Sequence, residues 1–211
     1  MSIKRLFGSR SGASAAEFGL VLPLLIILLL GIIDAGRFIW EYNRAEKATQ
    51  AGARVAVVTQ IIPQGVADFK YVNQTVGGIK YLQGDPLAAS ALGQVVCSKP
   101  SSTLSCTCDN AGGTSFCPSM GTANTAGFNA IVTRMQAMYP RVSANRVVVE
   151  YRGSGVGYAG DPGGMDISPL VTVKLDGMTF NPLVLFGLVS FTLPPFATSL
   201  TAEDSANTYS N

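Results

Sequence analysis

The sequence predicts an α+β protein in which a long N-terminal transmembrane helix continues into a small extracytoplasmic domain built on an antiparallel sheet. Three observations lead there. Residues 18–33 (FGLVLPLLIILLLGII) run without a charge, residues 34–60 continue without a proline, and segments 146–152 (RVVVEYR) and 170–175 (LVTVKL) are rich in β-branched residues between Gly and Pro. The 211 residues are enough for a real core, and a chain that is 47% hydrophobic and only 13% charged is not of the disordered class. The absence of His removes Ser-His-Asp and Cys-His catalysis and His-ligated metal sites. A net charge of +2, with no basic stripe beyond the N-terminus, argues against nucleic acid as a partner.

Taken in order, residues 1–12 (MSIKRLFGSRSG) hold Lys4, Arg5 and Arg10 without an acid, as a leader does. Residues 13–33 would make roughly 31 Å of helix at about 1.5 Å per residue, enough to cross a bilayer. The cationic head before this segment and the mixed charges after it place the N-terminus in the cytoplasm and the rest of the chain outside. Phe38, Trp40 and Tyr42 follow as aromatic anchors at a membrane interface. A cleaved secretory signal is the competing reading, but the apolar run is long for one and no turn-forming cleavage region follows it. Instead the helix is expected to continue to Gln60 and stop at Pro63, with Ala48, Gly52 and Ala56 forming a smooth stripe on one face. That stripe serves either to dock the chain's own sheet or to let another subunit approach closely.

Two residues of the apolar part break local rules. Glu17 places a carboxylate at the start of the membrane segment, where burial costs several kcal/mol unless a cation pairs with it; favouring the helix N-terminus through the macrodipole is its other possible role. Pro23 leaves the carbonyl of Gly19 unbonded, which membrane helices tolerate.

Beyond Pro63 the elements shorten. Residues 64–75 read as an amphipathic helix or turn, and 86–92 as a short helical piece. Residues 122–139 space Phe128, Ile131, Val132, Met135 and Met138 at helical intervals before Pro140. Residues 95–98, 146–152 and 170–175 read as strands, joined by a last strand within 191–201 that Pro194 and Pro195 confine to an edge or bulge; the sheet should number three to five strands and pack on the distal part of the long helix. Residues 177–202 carry no charge, but Asn181, Pro182, Pro194 and Pro195 leave too short an apolar run to span a membrane, so a short buried or surface-lying helix over 183–188 is expected instead, its side chains packed in the core in preference to touching a partner subunit or lipid.

Cys97, Cys106, Cys108 and Cys117 fall in a C-x8-C-x-C-x8-C pattern. An even count in an exterior Ser/Thr/Gly-rich stretch reads as two disulfides stapling the loop 97–117, with three pairings open and Cys106–Cys108 disfavoured by its tight ring; a four-thiolate zinc knot is the alternative, with unusual spacing. The glycines of 153–164 suit a loop or hairpin, not a nucleotide loop, and Asp161 with Asp166 falls short of a calcium motif. No Ser-x-x-Lys motif or nucleophile elbow occurs, so neither an enzyme nor a cofactor is implied.

Gly12-Ala13-Ser14-Ala15-Ala16-Glu17-Phe18, leading into an apolar helix, resembles the prepilin-peptidase site of type IVb (Flp, tight-adherence) pilins, and residues 11–58 as a whole resemble the TadE-like family of pseudopilins. The resemblance implies a pilin-like fold in three parts: a leader (1–12) removed by cleavage between Gly12 and Ala13, a retained helix (13–62) and an extracytoplasmic domain (63–211). Glu17 would be the acid that neutralises the free α-amino group of an adjacent subunit, with Phe18 the motif aromatic, although Tyr is common there in major Flp pilins. Also implied are residence in the inner (cytoplasmic) membrane with the C-terminal domain in the periplasm, and as partners prepilin peptidase, another TadE-like pseudopilin, the major Flp pilin and the assembly platform. The mature chain is far longer than a Flp subunit, which suits a minor pilin or pseudopilin. A membrane-anchored binding module or enzyme outside any pilus is the alternative.

Overall fold

The computed structural model describes residues 10–162, 164–184 and 189–202. Its first element is the helix α1 (Arg10–Val58), 49 residues that continue through Pro23. The long helix predicted from the sequence is therefore present. It ends two residues before the expected Gln60; the Thr59 amide makes the last bond of helical pattern, to the Val55 carbonyl, which the Thr59 hydroxyl also reaches. Ile61 and Ile62 then leave the helical path and become fully buried, with the Ile62 amide donating to the Tyr151 hydroxyl and its carbonyl accepting from Asn124.

The chain divides into two compact units, residues 1–42 with 179–192 and residues 43–178 with 193–211. The larger unit holds α2 (Gln64–Ala67), a small hairpin of β1 (Thr75–Val76) and β2 (Ile79–Lys80), then β3 (Gln94–Ser98), β4 (Ser105–Asp109), α3 (Thr125–Met138), β5 (Val147–Arg152) and β6 (Leu170–Leu175). The smaller unit holds a two-stranded hairpin of β7 (Thr179–Phe180) and β8 (Phe191–Thr192), and the chain closes in the larger unit with β9 (Phe196–Thr201).

The main sheet is antiparallel throughout, in the order β4-β3-β5-β6-β9. Its side chains alternate as the pleat requires. Val95, Cys97, Val147, Val149, Tyr151, Val171, Val173 and Leu175 are buried on one face, and Glu150, paired with Lys174, and Thr172, bonded to Ser199, lie on the other. The buried face receives α3 and the distal part of α1. Gly52 shows how closely: a Cβ there would sit 2.7 Å from Met135 Cγ and 3.3 Å from Val173 Cγ1. The stripe of Ala48, Gly52 and Ala56 thus docks the chain's own sheet, and Thr49 fixes the approach with a 3.0 Å hydroxyl contact to Thr198. Helix α3 starts where Asn124 Oδ1 accepts from the Gly127 amide, an N-cap, and buries Phe128, Ile131, Val132 and Met135 as the spacing predicts.

Other expectations change in detail. The helix or turn over 64–75 shrinks to four residues, and the piece over 86–92 is a single 3₁₀ turn, Ala89–Ala91. Pro194 and Pro195 divide the last strand: Phe191–Thr192 pairs away from the main sheet with β7, while Phe196–Thr201 is the edge strand. The helix expected over 183–188 falls mostly on residues 185–188, outside the described residues, and 183–184 form a turn.

Candidate functional site

The N-terminal part of α1 places Gly12, Glu17 and Phe18 on one helix, with the carboxylate and the phenyl ring both exposed. A Cβ built at Gly12 meets nothing within 4 Å among the described residues. Among the described residues no cation pairs with Glu17. From Phe18 to Ile33 the helix exposes Phe18, Leu20, Val21, Leu22, Leu24, Leu25, Ile26, Ile27, Leu28, Leu29, Ile32 and Ile33. Burying each such side chain is worth roughly 1.5–3 kcal/mol, so water is not the solvent this surface is made for. It is the one helix among the described residues that is long and apolar enough to cross a membrane.

The apolar run ends at a clasp. Asp34, 7% exposed, is the first charge after it, and its carboxylate accepts the backbone amides of Leu183 at 2.9 Å and Val184 at 2.8 Å. Arg37, one turn on, donates to the same carboxylate at 3.0 Å and lays its guanidinium over the Phe180 ring at 5.5 Å. Phe38 meets that ring edge-on, centroids 5.5 Å apart. The charge at the end of the apolar run is thereby neutralised by Arg37 and hydrogen-bonded by two amides of the β7–β8 hairpin. Nothing in the sequence reading singled out Asp34. The available signal was its position as the first charge after sixteen apolar residues; its partners are main-chain groups and carry no residue-type signature.

In the larger unit the four cysteines form Cys97–Cys106 and Cys108–Cys117, leaving no free thiol and choosing one of the three open pairings. Cys97 and Cys106 are direct cross-strand partners on β3 and β4, so the first bond ties the sheet edge to its neighbour. The second ties β4 to the loop at Phe116, where Phe69, Tyr71 and Phe116 form an aromatic cluster. No group of three or more His, Cys, Asp or Glu able to hold a metal occurs among the described residues. Asp166 is fully buried, and its carboxylate accepts the amides of Tyr71 and Gly160, both at 2.9 Å, and Lys70 Nζ at 3.1 Å. Those donors create a positive environment, and Asp166 organises the 153–164 loop. Burial pushes the phenols of Tyr71 and Tyr151 well above their ordinary range, Tyr71 with added repulsion from Tyr81 and Asp166.

Residues 12–54, which include Gly12, Glu17, the exposed apolar run and Asp34, match the family described as TadE-like protein. No curated protein and no solved structure matches the chain.

Proposed function

We propose that the protein is a structural pseudopilin or minor pilin of a tight-adherence (Flp-type) pilus, anchored in the inner membrane by α1 with its sheet domain outside. The observation that carries the reading is the exposed apolar helix whose acid near the start, Glu17, meets no cation among the described residues, inside the segment that matches the TadE-like family. Prepilin peptidase hydrolyses the peptide bond between Gly12 and Ala13, leaving a carboxylate on Gly12 and an ammonium on Ala13. Lys4, Arg5 and Arg10 depart with the leader, and the formal charge of the side chains changes from 15 − 13 to 12 − 13. Glu17 lies four residues along, roughly 6 Å of helix axis from the new ammonium. A neighbouring copy or pilin displaced by about one turn brings its ammonium to Glu17, and each charge removes the other's desolvation penalty.

The test is the mass of the mature N-terminus, followed by recovery of the chain with sheared pili. A mature chain beginning at Ala13 that retains α1 is expected, and Glu17→Gln should remove the protein from the pilus fraction while leaving its cleavage intact. An intact Met1, or a mature start beyond residue 33, overturns the processing. Undiminished incorporation of Glu17→Gln overturns the pairing.

A further inference from the structure

We infer that the β7–β8 hairpin is a second membrane contact, seating its exposed apolar side chains in the headgroup and upper acyl region of the same bilayer that α1 crosses. The inference rests on the spanning reading of α1. Leu183, Val189 and Phe191 are 47%, 42% and 51% exposed, and for Leu183, the one of them inside the expected helix 183–188, the core packing does not hold. They belong to a stretch, residues 177–202, that carries no charge at all. Among the described residues of this uncharged hairpin, these three large apolar side chains are exposed, which is costly in water and favourable at a lipid interface.

What assigns lipid as the occupant is the position of the clasp. The amides of Leu183 and Val184 bind the carboxylate of Asp34, the residue directly after Ile33, the last of the uncharged run. The hairpin is thus fastened where a spanning helix leaves the hydrocarbon. Trp40, 56% exposed, and Ile39, 59% exposed, stand within the next two turns, as interfacial side chains do. The fastening also solves the problem of a polar backbone near lipid. Two consecutive amides that could not be left bare there are satisfied by a carboxylate, and that carboxylate is in turn neutralised by Arg37. Asp34 acts here as a positioning residue for the hairpin.

The experiment uses the full chain in vesicles of phosphatidylcholine and phosphatidylglycerol. Trp40 is the sole tryptophan, so a Trp40→Phe background accepts a single reporter without disturbing the cystines. Phe191→Trp and, separately, Leu183→Trp report the hairpin. Leu25→Trp reports the span, and Val156→Trp, at an exposed position of the larger unit, reports water. Hairpin reporters are expected to emit at shorter wavelength than Val156→Trp. They should lose intensity to lipids carrying a doxyl group high on the acyl chain and be spared by aqueous acrylamide. Adding Asp34→Ala should return them toward the aqueous pattern.

If Leu25→Trp is quenched by doxyl lipid and both hairpin reporters are quenched only by acrylamide, the inference falls and the span stands. If Leu25→Trp is itself untouched by doxyl lipid, both fall. Hairpin reporters shielded from both quenchers, with shielding that grows with the protein-to-lipid ratio, would assign the surface to a second copy and overturn the lipid contact.

Discussion

Replacing Gly52 by Ala tests the packing of the long helix against its own sheet. In an exposed helix interior the change would stabilise by about 1 kcal/mol, because Ala restricts the unfolded chain and Gly does not. At Gly52 the new methyl would arrive 2.7 Å from Met135 Cγ, 3.0 Å from its Sδ and 3.3 Å from Val173 Cγ1. Overpacking of this kind costs about 1–3 kcal/mol, so the net is a destabilisation of about 0–2 kcal/mol. For a chain of this length that is a fall in Tm of up to about 8 °C. Met135 is fully buried, and Met135→Ala alone should cost roughly 2–5 kcal/mol. It also removes the atoms the methyl strikes, so in that background Gly52→Ala should change sign and stabilise by up to about 1 kcal/mol. Thermal unfolding of the detergent-solubilised chain, followed by circular dichroism, measures all four members of the cycle. A stabilising Gly52→Ala in the native background would refute the close approach and return the small-residue stripe to the service of another subunit.

Further outcomes follow from other contacts. Tyr71 and Tyr151 are held neutral by burial, so the stability they contribute is complete below their ordinary value of 10.0 and is lost as pH rises above it; phenolate absorbance should show these two ionising only with unfolding. Tyr151→Phe leaves the buried Ile62 amide unpaired and should cost about 1–3 kcal/mol in urea unfolding. Replacing both Cys108 and Cys117 by Ser opens a loop of sequence separation 9 and should cost roughly 2–3 kcal/mol, while non-reducing peptide mapping of the parent chain should recover Cys97 linked to Cys106. Asp34→Ala should accelerate hydrogen exchange at the amides of Leu183 and Val184 and leave that of β5 and β6 unchanged; equal protection in both proteins would deny the clasp its role.

The elements legible in the sequence were those with a strong period. The apolar run, the spacing of Phe128 to Met135 and the β-branched strands at 147–152 and 170–175 all announce their burial, because long or regular elements repeat the same demand several times. Strand β4 was missed: Ser-Cys-Thr-Cys-Asp has small polar side chains, and its place at the edge comes from the cross-strand cystine and the register with β3. Two-residue strands such as β7 and β8 have no period to read. At the candidate site Gly12, Glu17 and Phe18 were visible as a motif, whereas Asp34 and Asp166 were not. Both of those carboxylates are recognised mainly by main-chain amides, and any residue type can supply an amide.

Asp34 and its two amide partners are separated by 149 and 150 positions in the chain. At about 5–20 residues per second, translation leaves the carboxylate waiting on the order of ten seconds before Val184 is made. In that interval Arg37, made almost at once and one turn along the helix, is already present to pair with it. The ion pair on the helix can therefore form early in synthesis, whereas the clasp cannot close before Leu183 and Val184 have been made.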